Sequence, residues 1–150
     1  MDLLATSGGR LAILVALLVV ASLAFLAARR RDGVFRVAAP RRGTTTATLS
    51  TADLGGPLGS RATFVQFSTP TCASCPQVSR VLGALAGELP GIAHVELDAT
   101  RHPELVRRLG VLRTPTVLLL GPEGELRSRT SGALDRATAT SALELAVAGA

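Results

Sequence analysis

Apolar positions along this chain follow three patterns: one unbroken run, several short alternating or continuous runs, and stripes at three- and four-residue spacing. The unbroken run, Leu11 to Ala28 (LAILVALLVVASLAFLAA), is uncharged for 18 residues. As a helix it would be about 27 Å long, close to a bilayer core of about 30 Å. It predicts a transmembrane helix over 11–28, after a short amino-terminal flank at 1–10. A cleaved signal peptide and a buried helix of the following domain are the alternatives. The run exceeds the usual leader core of about 7 to 15 residues, and only Arg10 and the amino terminus supply positive charge ahead of it. Residues 29–44 (RRRDGVFRVAAPRRGT) hold no sustained period and read as a basic juxtamembrane linker.

From 45 to 150 the elements alternate, giving one domain of about 100 residues. Thr45 to Leu49 reads as a short first strand, and Thr51 to Leu58 as a poor helix or loop broken by Gly55, Gly56 and Pro57. Thr63 to Phe67 (TFVQF) has the composition of a core strand. Val78, Val81, Leu82, Leu85, Ala86 and Leu89 form one stripe, which predicts a helix from about Ala73 to Leu89, closed by Pro90-Gly91. Ile92 to Leu97 is the next strand, and Pro103 to Leu109 a short helix opened by proline. Thr116 to Leu120 (TVLLL) and Glu125 to Thr130 form a hairpin around Gly121-Pro122-Glu123-Gly124. An Ala-rich helix from about Leu134 to Val147 ends the chain. This order predicts an α/β domain, a mixed sheet flanked by helices on both faces and preceded by the transmembrane helix.

Charge refines the picture. The formal net charge is +5, yet residues 45–150 carry nine Arg and nine acidic residues. The excess lies in Arg10, Arg29, Arg30, Arg31, Arg36, Arg41 and Arg42, offset by Asp2 and Asp32. A basic collar beside an apolar run points to a lipid membrane partner, and its position after the run favours the cytoplasmic side for the domain. A nucleic-acid face would put the charge on the domain itself, and with no Trp or Tyr there is little to stack on bases, so no nucleic-acid partner is expected. Gly55-Gly56 and the Gly121 turn lack the flanking pattern of a nucleotide loop.

The chemistry concentrates in Cys72-Ala73-Ser74-Cys75, the chain's only two cysteines, at the junction of the TFVQF strand and the striped helix. A sulfur at a helix start meets unpaired amide hydrogens and the positive dipole end, which favour thiolate at Cys72. Cys75, one turn in, is more screened and suits the second, resolving step of an exchange. Buried structural thiols, a permanent disulfide and a structural zinc site remain as alternatives. Zinc would need His94 and His102, whose spacings fit no ordinary finger, and no metal or other cofactor is expected. Arg113-Thr114-Pro115-Thr116 stands at the mouth of TVLLL, where a proline begins the strand or turns into it through a cis bond.

Taken together, FVQFSTPTCASC (64–75), VELD (95–98), GVLRTPTVLLL (110–120), Gly124-Glu125 and Ser131-Gly132-Ala133-Leu134 resemble the thioredoxin family over about two thirds of the chain. The resemblance implies Cys72 as nucleophile, Cys75 as resolving thiol and Pro115 as a cis proline, with Thr114 and Thr71 at the substrate. Several positions depart from the family pattern. Thr71 replaces the aromatic before the first cysteine. Gln66 replaces the buried aspartate that serves as proton acceptor for the second cysteine, and His94 replaces the strand lysine near it. Ala73-Ser74 replaces Gly-Pro, and Pro76 stands where a basic residue is common, leaving Arg80 as the next cation. Gln66, Ser74, Pro76 and His94 are therefore expected to tune the site. His102-Pro103-Glu104 reads as a helix cap, Asp98 as a turn former, and Arg107, Arg108 and Arg113 as solvated surface.

The expected activity is that of a membrane-tethered thiol–disulfide oxidoreductase that reduces the disulfide of a client protein and draws electrons from a thiol or membrane donor. An extracytoplasmic reductase for cytochrome maturation or envelope proteins, and a non-enzymatic module binding a membrane partner, are the other readings.

Overall fold

The computed structural model describes residues 7–29, 35–37 and 48–148. The chain divides into two compact units, residues 1–32 and 33–150. In the first unit the apolar run is helical, α1 (Ser7–Arg29). The expected membrane crossing is nevertheless overturned, because among the described residues no helix is long and apolar enough to cross a membrane. The uncharged run of 18 residues, bounded by Arg10 and Arg29, is at the lower end of the lengths that span a bilayer. The transmembrane helix ahead of the fold, the single-pass localisation, the side assigned from the arginine collar and the lipid partner are withdrawn with it.

The second unit is a five-stranded sheet with helices on both faces, the mixed α/β arrangement that the alternation of elements predicts. Its elements are β1 (Arg36–Val37), α2 (Thr51–Leu54), β2 (Ala62–Ser68), α3 (Cys75–Glu88), β3 (Ile92–Asp98), α4 (Pro103–Arg108), β4 (Thr116–Leu120), β5 (Leu126–Ser131) and α5 (Arg136–Ala148). Strand order is β1-β5-β4-β2-β3, with β2 and β3 parallel and every other pairing antiparallel. Parallel pairing requires a crossover, and α3 supplies it.

Period-two alternation sorts β2 and β4 into two cores. Phe64, Val117 and Leu119 face α3 and α5, packing with Val78, Leu82, Leu85, Ala139, Ala142 and Leu143. Val65, Phe67, Leu118 and Leu120 face the other way, onto Leu54 of α2 and Leu105 of α4. Five buried residues in a row in TVLLL reflect a central strand covered on both faces.

Two edge elements differ from expectation. The strand read at 45–49 is reduced to one bridge, Thr48 to Glu125, with residues 45–47 outside the described residues. The sheet's edge is instead Arg36–Val37, inside the segment read as linker, and the neighbouring Phe35 ring lies 6.5 Å from that of Phe64. Two paired residues are too few to show a period. The poor helix at 51–58 shortens to α2, which Ser50 and Asp53 close with a reciprocal capping box.

Candidate functional site

The site forms where β2 ends. Fully buried through Phe67, the strand emerges at Ser68, and residues 69–74 turn back to start α3. The turn is held by backbone bonds from Cys72 N–H to the Thr69 carbonyl (3.0 Å) and from Cys75 N–H to the Cys72 carbonyl (3.4 Å). The helix begins at Cys75, two residues later than its apolar stripe predicts, with Ser74 as N-cap. Pro76 falls in the first turn, where a missing N–H costs nothing. The Ser74 side chain makes no capping bond and lies 4.0 Å from Cys72 Sγ instead.

Cys72 and Cys75 are joined by a disulfide. Their exposure is unequal: Cys75 is 3% exposed, whereas Cys72 is half-buried between the exposed Thr71 and Ala73. Both sulfur-bearing residues line an open cleft of about 530 Å³, shared with Ser68, Thr69, Pro76, Ser79, Arg80, Glu96 and Asp98.

Immediately before β4, the Thr114–Pro115 peptide bond is cis. Thr114 Oγ1 lies 3.1 Å from Thr69 Oγ1, so the two hydroxyls link the proline loop to the cysteine loop. The Pro115 carbonyl accepts from Gly132 N–H (2.8 Å), and Thr116 Oγ1 bonds the Arg113 carbonyl (2.7 Å) and Ser131 Oγ (2.9 Å). These bonds anchor the loop, with Thr114 half-buried against Thr69.

Gln66 is fully buried beneath the start of α3. Its Nε2 donates to the Cys75 carbonyl (3.1 Å) and to Glu96 Oε1 (3.3 Å), while Oε1 is buried without a partner. The other oxygen of Glu96 accepts from Ser79 Oγ (2.7 Å). His94 sits away from the sulfurs, opposite Phe64 and below α3 near Gly83. Burial lowers its pKa, the Glu96 charge opposing in part, and its Nε2 is also buried and unpartnered.

The structure thus brings Cys72, Ser74, Cys75, Pro76, Gln66 and Thr114-Pro115 into one region, leaves Thr71 exposed on its rim and sets His94 apart. Sequence reading missed Thr69, Ser79 and Glu96. The alternation of VELD places Glu96 on the same face as His94 and Asp98, but only strand register shows that this face meets Gln66. Among the described residues no group of three or more His, Cys, Asp or Glu is arranged to hold a metal ion. Asp98 forms its turn by accepting from the Thr100 amide and hydroxyl. His102 occupies the N-cap of α4 without a side-chain cap. Arg107 and Arg108 pair with Glu104 and Asp53, and Arg113 donates to the Ser131 carbonyl.

Comparison with known proteins gives the same picture at a wider scale. The Thioredoxin family profile matches residues 57–144. A thioredoxin of Chlamydia muridarum is 32% identical over 79 residues, covering 53% of this chain and 76% of that protein. One from Methanocaldococcus jannaschii is 29% identical over 69 residues, covering 45% and 81%. Among solved structures, chloroplastic thioredoxin z superposes with a TM-score of 0.54 at 24% identity, over 60% of this chain and 81% of that one. Fasciola hepatica thioredoxin gives 0.52 at 23% identity, over 58% and 82%. At such identities the superpositions speak for the fold, while the profile spans more than half of the chain and includes both cysteines. On that ground the chain belongs to the thioredoxin family, as an enzyme of thiol–disulfide exchange.

Proposed function

We propose that the chain reduces disulfides of client proteins, with Cys72 as the attacking thiolate and Cys75 as the resolving thiol. The observation that carries this reading is the unequal exposure of two sulfurs in one open cleft, beside the Thr114-Pro115 loop. Family members act on disulfide-bearing clients, and the finer assignment rests on this chain's own residues. Cys72 thiolate attacks one sulfur of the client disulfide, forming a mixed disulfide and releasing the other client sulfur as thiolate. Cys75, deprotonated, attacks Cys72 Sγ and expels the second client thiolate. The client gains two electrons and two protons, and Cys72–Cys75 becomes the disulfide. A client strand pairs with the Thr114 backbone. A dithiol protein or small thiol returns the chain to its reduced form.

The test uses the full chain with a protein disulfide as substrate and a small dithiol as electron source. Cys72→Ser should abolish turnover, and Cys75→Ser should accumulate a mixed disulfide through Cys72. Turnover persisting in Cys72→Ser would refute the assignment. The tether expected from sequence has no part in this reading, since among the described residues no helix is long and apolar enough to cross a membrane.

A further inference from the structure

We infer that Glu96, on the strand beside the cysteine loop, takes the proton from Cys75 when the mixed disulfide is resolved. The inference rests on the proposed order of attack, Cys72 first and Cys75 second. A buried thiol cannot act until it is deprotonated, because the thiolate is the nucleophile. The buried residue beneath Cys75 is Gln66, and a neutral amide accepts no proton near neutral pH. The amide instead aims at a carboxylate: one Nε2 donates both to the Cys75 carbonyl and to Glu96 Oε1. On the other side Ser79, one turn after Cys75 in α3, holds Glu96 Oε2 at 2.7 Å.

The carboxylate is thus clamped from the strand below Cys75 and from the helix that begins at Cys75. It lines, with both cysteines, one open cleft of about 530 Å³, large enough to admit water. A carboxylate oxygen offers more than one lone pair, so each keeps acceptor capacity after its bond to Gln66 or Ser79. The proton passes from Cys75 Sγ through cleft water to Glu96. The Cys75 thiolate then forms a bond to Cys72 Sγ, the Cys72–client sulfur bond breaks, and the departing thiolate takes the electron pair. Glu96 returns its proton to that thiolate or to solvent.

Other ionisable groups face Glu96 from its own strand and from α3. Asp98 is engaged by Thr100, and His94 lies two residues back. Arg80, in the cleft, donates to the Pro76 carbonyl and to Gln77. Among the described residues no ion pair to Glu96 is formed, so its carboxylate remains available as a base.

The experiment is stopped-flow reaction of the reduced full chain with limiting dithionitrobenzoate, which releases chromophore once on attack by Cys72 and again on resolution by Cys75. It is run from about pH 5 to about pH 9 on the wild type, Glu96→Gln and Glu96→Asp. An internal base makes the second phase less dependent on pH than deprotonation by hydroxide alone. Glu96→Gln should steepen that dependence, its second phase rising in proportion to hydroxide and running at least about tenfold slower at pH 7. Its first phase should not change, and Glu96→Asp should restore part of the shallower dependence. Equal second phases overturn the inference. A slower second phase of unchanged pH profile overturns it too, because loss of the Gln66 contact alone gives that result. A wild type that shows no second phase defeats the proposed order of attack itself, and so distinguishes that failure from this one.

Discussion

Alkylation of the reduced chain provides a direct measure of the asymmetry on which the exchange depends. At pH 7 a thiol of ordinary pKa, about 8.5, is about 3% thiolate. Cys72 lies just outside the N-terminus of the 14-residue helix α3, with a hydroxyl 4.0 Å from its sulfur. A favourable helix-end interaction of about 0.3 to 2 kcal/mol favours the Cys72 thiolate and lowers its pKa. The upper half of that range, about 1.2 to 2 kcal/mol, raises the thiolate fraction at pH 7 between about sixfold and sixteenfold. Cys75 is closer to the same dipole but only 3% exposed, so desolvation opposes its thiolate, and Glu96 in the same cleft adds a like charge. Burial further restricts any alkylating reagent. The two effects together predict that iodoacetamide at pH 7 modifies Cys72 at least about tenfold faster than Cys75, as read by mass spectrometry of the separated peptides. The pH dependence of the Cys72 rate should give a pKa below about 8.5. Equal rates, or faster modification of Cys75, would refute the reasoning, since neither the helix end nor the difference in burial would then govern reactivity.

Other parts of the molecule make separate predictions. Thr69→Val removes the hydroxyl that meets Thr114 and should cost about 0.5 to 1.5 kcal/mol in urea unfolding; it should also raise KM for a protein disulfide, while the Cys72 alkylation rate stays constant. An unchanged KM would separate Thr114 from client binding. Ser50→Ala breaks the capping box of α2 and should cost about 1 kcal/mol. The Ser50 amide and hydroxyl, followed by Arg108, hold the Asp53 carboxyl below its ordinary range. Its contribution is therefore present above the unfolded pKa of about 3.9 and is lost as pH falls through the lower folded value. Asp53→Asn should weaken the acid dependence of stability in that window, measured by unfolding at a series of pH values. Gly124 adopts φ +81°, and a Cβ there would stand 2.0 Å from the Leu49 carbonyl oxygen. Gly124→Ala should consequently destabilise the domain by more than about 1 kcal/mol, read as a lower urea midpoint at constant m.

What sequence reveals here divides along the range of the interactions involved. The α3 stripe and the TVLLL strand are local patterns, each with its own period and its own stop signals, and their cores assemble where those periods point. The cysteine pair and the proline opener are likewise local. The edge strand at Arg36–Val37 and the single bridge at Thr48 are too short to carry any period, so no pattern distinguishes them from a linker. The apolar run at 11–28 is legible as a helix, whereas its capacity to cross a membrane rests on composition and a near match in length alone; among the described residues no helix is long and apolar enough to cross one.

The chemistry around Cys75 lies at the far end of this range. Gln66 and Glu96 are 30 positions apart, and nothing in either neighbourhood announces the other. Read alone, Gln66 is a loss, a neutral side chain where an acid would serve. The parallel register that pairs Gln66 with Glu96 changes its meaning, because an amide donates to carboxylate oxygen as readily as to a carbonyl. Burying an aspartate beside Cys75 would incur the desolvation cost of a charge. Placing the carboxylate one strand outward, at the solvent edge of the cleft, avoids that cost while the buried amide keeps it oriented. Residue type at one position therefore does not determine whether the site has a base; the pairing of two strands does.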